Sequence, residues 1–308
     1  MEIRHLRTFL TVAKLLSFNR AADRLNYAQS SISAQIQALE EELGVRLFDR
    51  LGRRIQLTEA GERLAPYAAR IVDFADETQA EIGAGSVLHG SLTIRVPESL
   101  GVHRLPRVIT DFKNRFPAVR LNLTNCAHEG LQKDLRKGVI DLAFLLTDAF
   151  QAADLRTEVL GFESIVLVAG PRHRLAKAAL VRTRDLKGEL LLLSKVDCSY
   201  RRLFERMLDE EGVSLDTGLI FHSVEALKRH VMAGTGITIL PKVSVADEMG
   251  QGKLTCLPWE EGEIEVAVLM IWSGERWLSP TLTAFMDTAR TLLKETWNKS
   301  CAGDDPVL

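Results

Sequence analysis

Between residues 29 and 37 the chain reads QSSISAQIQ, amides and hydroxyls set among isoleucines. Ile32, Ile36, Leu39 and Leu43 recur at helical spacing and define one apolar face. Ser30, Ser33, Ala34 and Gln37 fall on the other side, with Gln29 at the N-terminal tip. Amides and hydroxyls exchange hydrogen bonds with base edges, and small side chains let a helix sit deep in the DNA major groove. The free N–H groups at the start of such a helix also favour a nearby phosphate. A solvated polar face would look the same on an isolated helix, so the neighbouring elements decide between the two. Glu40–Glu42 would be repelled by DNA, which leaves insertion to the N-terminal half.

Other reactive side chains form no catalytic pattern. No GxSxG, HExxH or GxxxxGK[ST] run occurs, and Gly234-Thr235-Gly236 precedes a strand, so it reads as a turn. The seven histidines are scattered, and His222 and His230 lack companions at metal-ligand spacing. Cys126, Cys198, Cys256 and Cys301 show no CxxC spacing and are too sparse for a disulfide framework. Neither a catalytic residue nor a metal or cofactor is expected. Cys198 stands just before a helix pattern and near Lys195, Arg201 and Arg202, conditions that lower a thiol's pKa.

The elements around the QSSISAQIQ run favour the DNA reading. Leu6, Phe9, Leu10, Ala13 and Leu16 predict a first helix. Asn19 stands where an N-cap would, ahead of a short second helix carrying Ala21, Ala22 and Leu25, whose small residues permit close packing. Asn26-Tyr27-Ala28 makes a tight turn into the third helix, which Gly44 ends. Short helix, turn and second helix match a helix-turn-helix. In VRLFDRLGRRIQLT, Ile55 and Leu57 alternate with polar residues, and Gly52 turns the chain before Arg53-Arg54. That is a two-stranded wing with basic side chains suited to phosphate contact.

From Thr58, which can cap a helix, to Gly83–Gly85 runs a connector whose Leu64, Ala68, Ile71, Ala75, Thr78 and Ile82 alternate in steps of four and three. This average of about 3.5 is a coiled-coil seam, or else a helix packed on its own domain. Residues 91–146 then alternate strand and helix signals: SLTIRV, a helix from Ser99 to about Phe116, RLNLTN, a helix over EGLQKDLRKG, and IDLAFLL. SIVLVAG, LLLLS, LIFHS, ITILP and IEVAVLMIW continue the pattern, which predicts a parallel sheet with helices on its faces. Ligands in such sheets bind beyond the carboxyl ends of the strands. Pro97–Leu100, Asn125–His128 and Asp197–Arg201 occupy such places.

The first 62 residues resemble the N-terminal domain of LysR-type transcriptional regulators, through LRTFLTVAKLLSFNRAADRLNYAQSSISAQIQALEEELGVRLFDR and the following LTEAG. Two positions depart from that pattern: Ala28 where Ser or Thr is frequent, and Ser30 where Pro is frequent. Both bear on target preference. The resemblance continues more loosely to the C-terminus. It implies a winged helix-turn-helix (1–60), a dimerising linker helix (61–89) and an effector-binding α/β domain (90–308). That domain would be two-lobed and similar to periplasmic binding proteins, with lobe I about 90–161 and 267–308 and lobe II about 162–266. Gln29, Ser30, Ser33, Ala34 and Gln37 would face bases, and Arg20, Arg53 and Arg54 the DNA backbone. The effector would be a small, commonly anionic metabolite, with Ser99, Leu100, Cys126, His128, Thr147, Cys198 and Arg201 as its candidate contacts. The resemblance also implies a homotetramer built from two dimers. Peroxide-sensing members of the family use a cysteine near Cys198, so a thiol sensor is an alternative. A solute-binding protein or enzyme on the same C-terminal fold is another.

At 308 residues, with 46% hydrophobic and 26% charged residues, the chain has room for two or three globular units. The net charge of −2 says nothing about partners, because any basic surface is local. No apolar run reaches the roughly 18 residues of a membrane helix, and MEIRHLRTF lacks a signal-peptide core. A cytoplasmic location is expected.

Overall fold

The computed structural model describes residues 1–51, 54–82, 88–125, 130–147, 150, 152–194, 199–213 and 216–300. They form two compact units, Met1–Ser91 with Ala118–Arg120, and the remainder.

The first unit contains α1 (Ile3–Leu15), α2 (Phe18–Leu25), α3 (Gln29–Leu43), β1 (Phe48–Leu51), β2 (Arg54–Leu57) and α4 (Glu59–Ile82). Leu6, Phe9, Val12, Ala21, Ile32, Ile36, Leu39, Leu47 and Phe48 close into one core. Leu43, expected on the same face, stays 38% exposed, because the helix runs past the edge of that core. The cap of α2 is Ser17, not Asn19: its hydroxyl accepts the Arg20 N–H at 3.3 Å, and Phe18 is already helical and buried. Asn26 ends α2 with φ 55°, a left-handed conformation that asparagine tolerates better than most residues. Ala28 supplies no side-chain cap to α3, while Gly44 ends that helix at φ 68°. Strands β1 and β2 pair antiparallel as the wing.

At the start of α4 the Thr58 hydroxyl accepts the Gly61 N–H at 3.0 Å. The expected seam is split by this packing. Ala68 is fully buried in the unit's own core, with Leu64 packed against it and Val72 beside it. The outward apolar stripe is Tyr67, Ile71 and Phe74, followed by exposed Thr78. Ala75 is half-buried.

The second unit is one mixed sheet in the order β4-β3-β5-β11-β6-β9-β7-β8, with β10 paired to β6. Its strands are β3 (Ser91–Val96), β4 (Arg120–Asn125), β5 (Leu142–Thr147), β6 (Leu155–Ala169), β7 (Leu190–Ser194), β8 (Asp216–Phe221), β9 (Ile237–Pro241), β10 (Thr255–Cys256) and β11 (Ile264–Ser273). The pairs β3–β5, β7–β8 and β7–β9 are parallel, as alternation with helices predicts. Long strands β6 and β11 depart from a wholly parallel sheet: they run antiparallel to each other and to their flanking neighbours. They join two lobes, and their register shifts between Val268 and Leu269.

The helices are α5 (Glu98–His103), α6 (Leu105–Arg115), α7 (Leu131–Lys137), α8 (Ser199–Glu210), α9 (Val224–Met232), α10 (Ala246–Gly250) and α11 (Pro280–Ser300). The single helix expected from Ser99 to Phe116 is therefore two, broken at Arg104 because Pro106 opens a new first turn. In the first lobe α7 covers β5 and β11 over Leu131, Leu135 and Leu145. Helices α6 and α11 pack through the edge-on pair Phe112–Phe285, 5.1 Å between ring centroids. In the second lobe α9 buries Leu227 and Val231 against Val166, Val168, Leu192 and Leu240.

Candidate nucleic-acid interface and effector cleft

Core packing turns Ile32, Ile36 and Leu39 inward and so orients α3. Gln29, Ser30, Ala34 and Gln37 are exposed and Ser33 is half-buried, so the polar face lies open along the helix. The Gln29 amide donates to the Ser33 hydroxyl at 2.9 Å, which holds its side chain along the first two turns. Gln37 instead donates to Glu41 at 2.8 Å and so sits against a carboxylate. The three glutamates that follow have separate tasks. Glu40 folds inward and accepts the N–H groups of Leu47 and Phe48 at 2.6 and 3.3 Å, tying the wing to α3. Glu41 holds Gln37, and Glu42 pairs with the N-terminal amine. By spacing alone they form one repulsive cluster, because spacing does not show that Glu40 reaches backbone seven residues on. Thr8 carries no such signal in the sequence: it is buried and donates to Gln35 at 2.6 Å, fixing α1 on α3.

Arg20 is exposed on α2. Arg54 opens β2, and Arg53 lies outside the described residues.

Among the effector candidates, Ser99 and Leu100 are each 2% exposed in the first turn of α5, just past β3. Thr147 ends the neighbouring parallel strand β5 and is 7% exposed. Both hydroxyls therefore stand at the carboxyl edge of adjacent strands, the place where α/β sheets take ligands. Helix α8 packs against β5 from the second lobe, with Tyr200 buried in its first turn. Arg201, on the same turn, is engaged: its Nε donates to Glu205 at 2.6 Å. Cys126, His128 and Cys198 lie outside the described residues. Cys256 is a free, solvent-reaching thiol, pushed up by the packing around its sulfur and then by the Glu263 carboxylate, so it remains protonated. Among the described residues no group of three His, Cys, Asp or Glu is arranged to hold a metal ion.

Two sets of buried charged groups are paired, one between the lobes and one within the second lobe. Arg104 grips Glu163 of β6 through two bonds of 2.5 and 3.2 Å, and both side chains are largely buried. Lys228 of α9 is 8% exposed and donates to Glu248 at 2.6 Å and to the Ser244 carbonyl at 3.1 Å, with Glu225 at 3.2 Å. Burial works against its charge, but the two carboxylates outweigh burial and raise its pKa, so the ammonium persists.

His103, at the end of α5, is held below 6.5, first by desolvation and then by the charges of Lys228 and Arg104; Asp247 and Glu163 oppose them more weakly. As pH falls, the unfolded chain protonates at this position before the folded one does. Its contribution to stability is intact above about pH 6.5 and declines as pH falls toward the folded value. Replacing His103 by Gln is expected to flatten the loss of Tm between about pH 7.5 and 5.5. The effect is modest, because the ring reaches solvent and is screened. Identical acid profiles for both proteins would rule the contribution out.

Comparison with known proteins matches this arrangement on both sides. Residues 3–62 match the family "Bacterial regulatory helix-turn-helix protein, lysR family", and residues 85–294 match "LysR substrate binding domain". The HTH-type transcriptional regulator YwqM of Bacillus subtilis is 38% identical over 295 residues, covering 96% of this chain and 100% of YwqM. The fold of this chain is shared with full-length CbnR solved with its target DNA, at TM-score 0.69 and 23% identity over 94% of this chain and 99% of that one. Full-length OxyR from Pseudomonas aeruginosa gives TM-score 0.67 at 23% identity, covering 96% of this chain and 95% of that one. With both of its parts matched along their length, the chain belongs to the LysR family of DNA-binding transcriptional regulators, which carry a substrate-binding effector domain.

Proposed function

We propose that the N-terminal half of α3 reads the bases through Gln29, Ser30, Ser33 and Ala34, while Arg20, Arg53 and Arg54 hold the DNA backbone. The observation that carries this is the asymmetry of α3, whose open first turns are neutral and polar while Glu40, Glu41 and Glu42 are all engaged elsewhere. Gln37, tied to Glu41, is the weakest base-reading candidate. Replacing Gln29 by Ala should cost about 1–3 kcal/mol on a specific duplex and little on a random one. Affinity of the parent protein for either duplex should fall steeply with salt. Equal losses on the two duplexes would move Gln29 from base reading to backbone contact.

The effector in this reading is a small anion held between the lobes by Ser99, Leu100, Thr147 and Arg201, with Cys126, His128 and Cys198 as further candidate contacts. Two buried hydroxyls at neighbouring strand ends support it, and Arg201 must exchange Glu205 for the ligand. A small-molecule effector is preferred to a thiol sensor at Cys198, since residues 85–294 match the LysR substrate binding domain. The dimer seam on α4 is Tyr67, Ile71, Phe74 and Thr78, because Leu64 and Ala68 are taken by the unit's own core. Paired α4 helices place two reading helices on two half-sites, and two such dimers make the homotetramer. The protein works in the cytoplasm without catalysing a reaction; among the described residues no helix is long and apolar enough to cross a membrane.

A further inference from the structure

Helix α5 belongs to the first lobe by its chain position, directly after β3 and before α6. Its contacts, however, are shared with the second lobe. At one end the Glu98 carboxylate accepts the backbone N–H of Val224, the first residue of α9, at 3.2 and 3.3 Å. The sequence separation is 126 residues, and the connection between them passes through β6. Ser223 caps α9 from within its own lobe by accepting the Ala226 N–H, so Glu98 satisfies an amide that the local cap leaves over. A carboxylate at a helix N-terminus also gains from the helix dipole. Along its length α5 packs on the 3-10 turn Lys242–Ser244 that follows β9. At its other end His103 lies within the field of Lys228 on α9 and Asp247 on α10, while Arg104 next to it is anchored to Glu163.

We propose that α5 is a strap that ties the two lobes together, fastened to α9 by the Glu98 carboxylate. Ser99 is the next residue on the same strap, so whatever binds there acts on the contact between the lobes. The strap does not depend on the identity of the effector, and it fails or stands separately from the cleft reading above.

Hydrogen exchange of the full-length, ligand-free protein separates a strap from a local cap. With Glu98→Ala, exchange is expected to rise roughly tenfold or more in two places, the start of α9 and the segment 242–244 with α5. Ser223→Ala, which uncaps α9 from inside its lobe, should raise exchange only in α9. A rise confined to α9 in both variants would reduce Glu98 to a cap and overturn the strap, as would no change in Glu98→Ala. If Glu98→Ala does not fold, Glu98→Gln is read by the same two segments. It removes the charge and keeps an acceptor, so both segments should loosen together by a smaller factor.

Discussion

Phe9→Ala is expected to cost the DNA-reading unit about 3–5 kcal/mol and to abolish DNA binding at physiological temperature. Phe9 is fully buried, with its ring 5.5 Å from that of Phe48, which in turn meets Phe18 at 5.9 Å. This aromatic group joins α1, α2 and the first strand of the wing, so its loss opens a cavity where three elements meet. A small domain commonly has only about 5–15 kcal/mol in total, which makes the loss a large share of it. For a unit of this size each kcal/mol is worth roughly 4–8 °C in Tm. Differential scanning calorimetry of the full chain should therefore show one transition falling well over 10 °C while a second stays in place. Both transitions falling together would show that the two compact units do not melt separately, and the expectation would be lost.

Gly61→Ala should also destabilise, against the ordinary rule for helices. At an exposed helical site this change gains about 0.8–1.0 kcal/mol from backbone propensity. Gly61 instead lies where a Cβ would stand 2.2 Å from the Leu47 carbonyl oxygen and 2.8 Å from Leu57 Cδ2. The obstacle is backbone at the entry to the wing, so relief requires α4 to move rather than a side chain to rotate. Overpacking of this kind costs typically about 1–3 kcal/mol, and the upper end applies where backbone must yield. A net loss of about 2 kcal/mol is expected after the propensity gain is subtracted. Urea unfolding of the two proteins gives the sign directly. A variant more stable than its parent would mean that α4 and the wing can part at little cost.

Much of this was legible in the sequence because apolar spacing is set by the core it must fill. Ile32, Ile36 and Leu39 announced both the third helix and, by exclusion, its open face. Gly44 was read from conformational preference alone, and the backbone agrees. Asn19 misled because asparagine and serine are comparable caps, and only the burial of Phe18 selects Ser17. Pro106 carried the signal for the break between α5 and α6, since proline has no N–H to continue a preceding helix and fits best in the first turn of a new one. The seam on α4 was harder. A repeat of about 3.5 records that a stripe is covered but not by what, and Leu64 and Ala68 of the expected stripe are covered by the unit's own core. The antiparallel course of β6 and β11 left no local mark at all, because strand direction is decided by distant partners. Of the cleft, Ser99 was put forward by its position at a strand end, and Thr147 only by the family resemblance. Glu98 on Val224 could not be, as nothing in a sequence marks a contact across 126 residues.

The same two long strands set the order in which the protein can be made. The first unit is complete once Ser91 is available, apart from Ala118–Arg120, and its core draws only on contacts within the first 72 residues. Strand β5 ends at Thr147, but its neighbour β11 begins only at Ile264. During synthesis, an apolar strand that is entirely buried in the finished protein must wait unpaired on one edge until nearly the whole chain has emerged. The DNA-reading end can thus fold before the rest of the chain is made, while one edge of β5 stays open to wrong partners for the interval between Thr147 and Ser273.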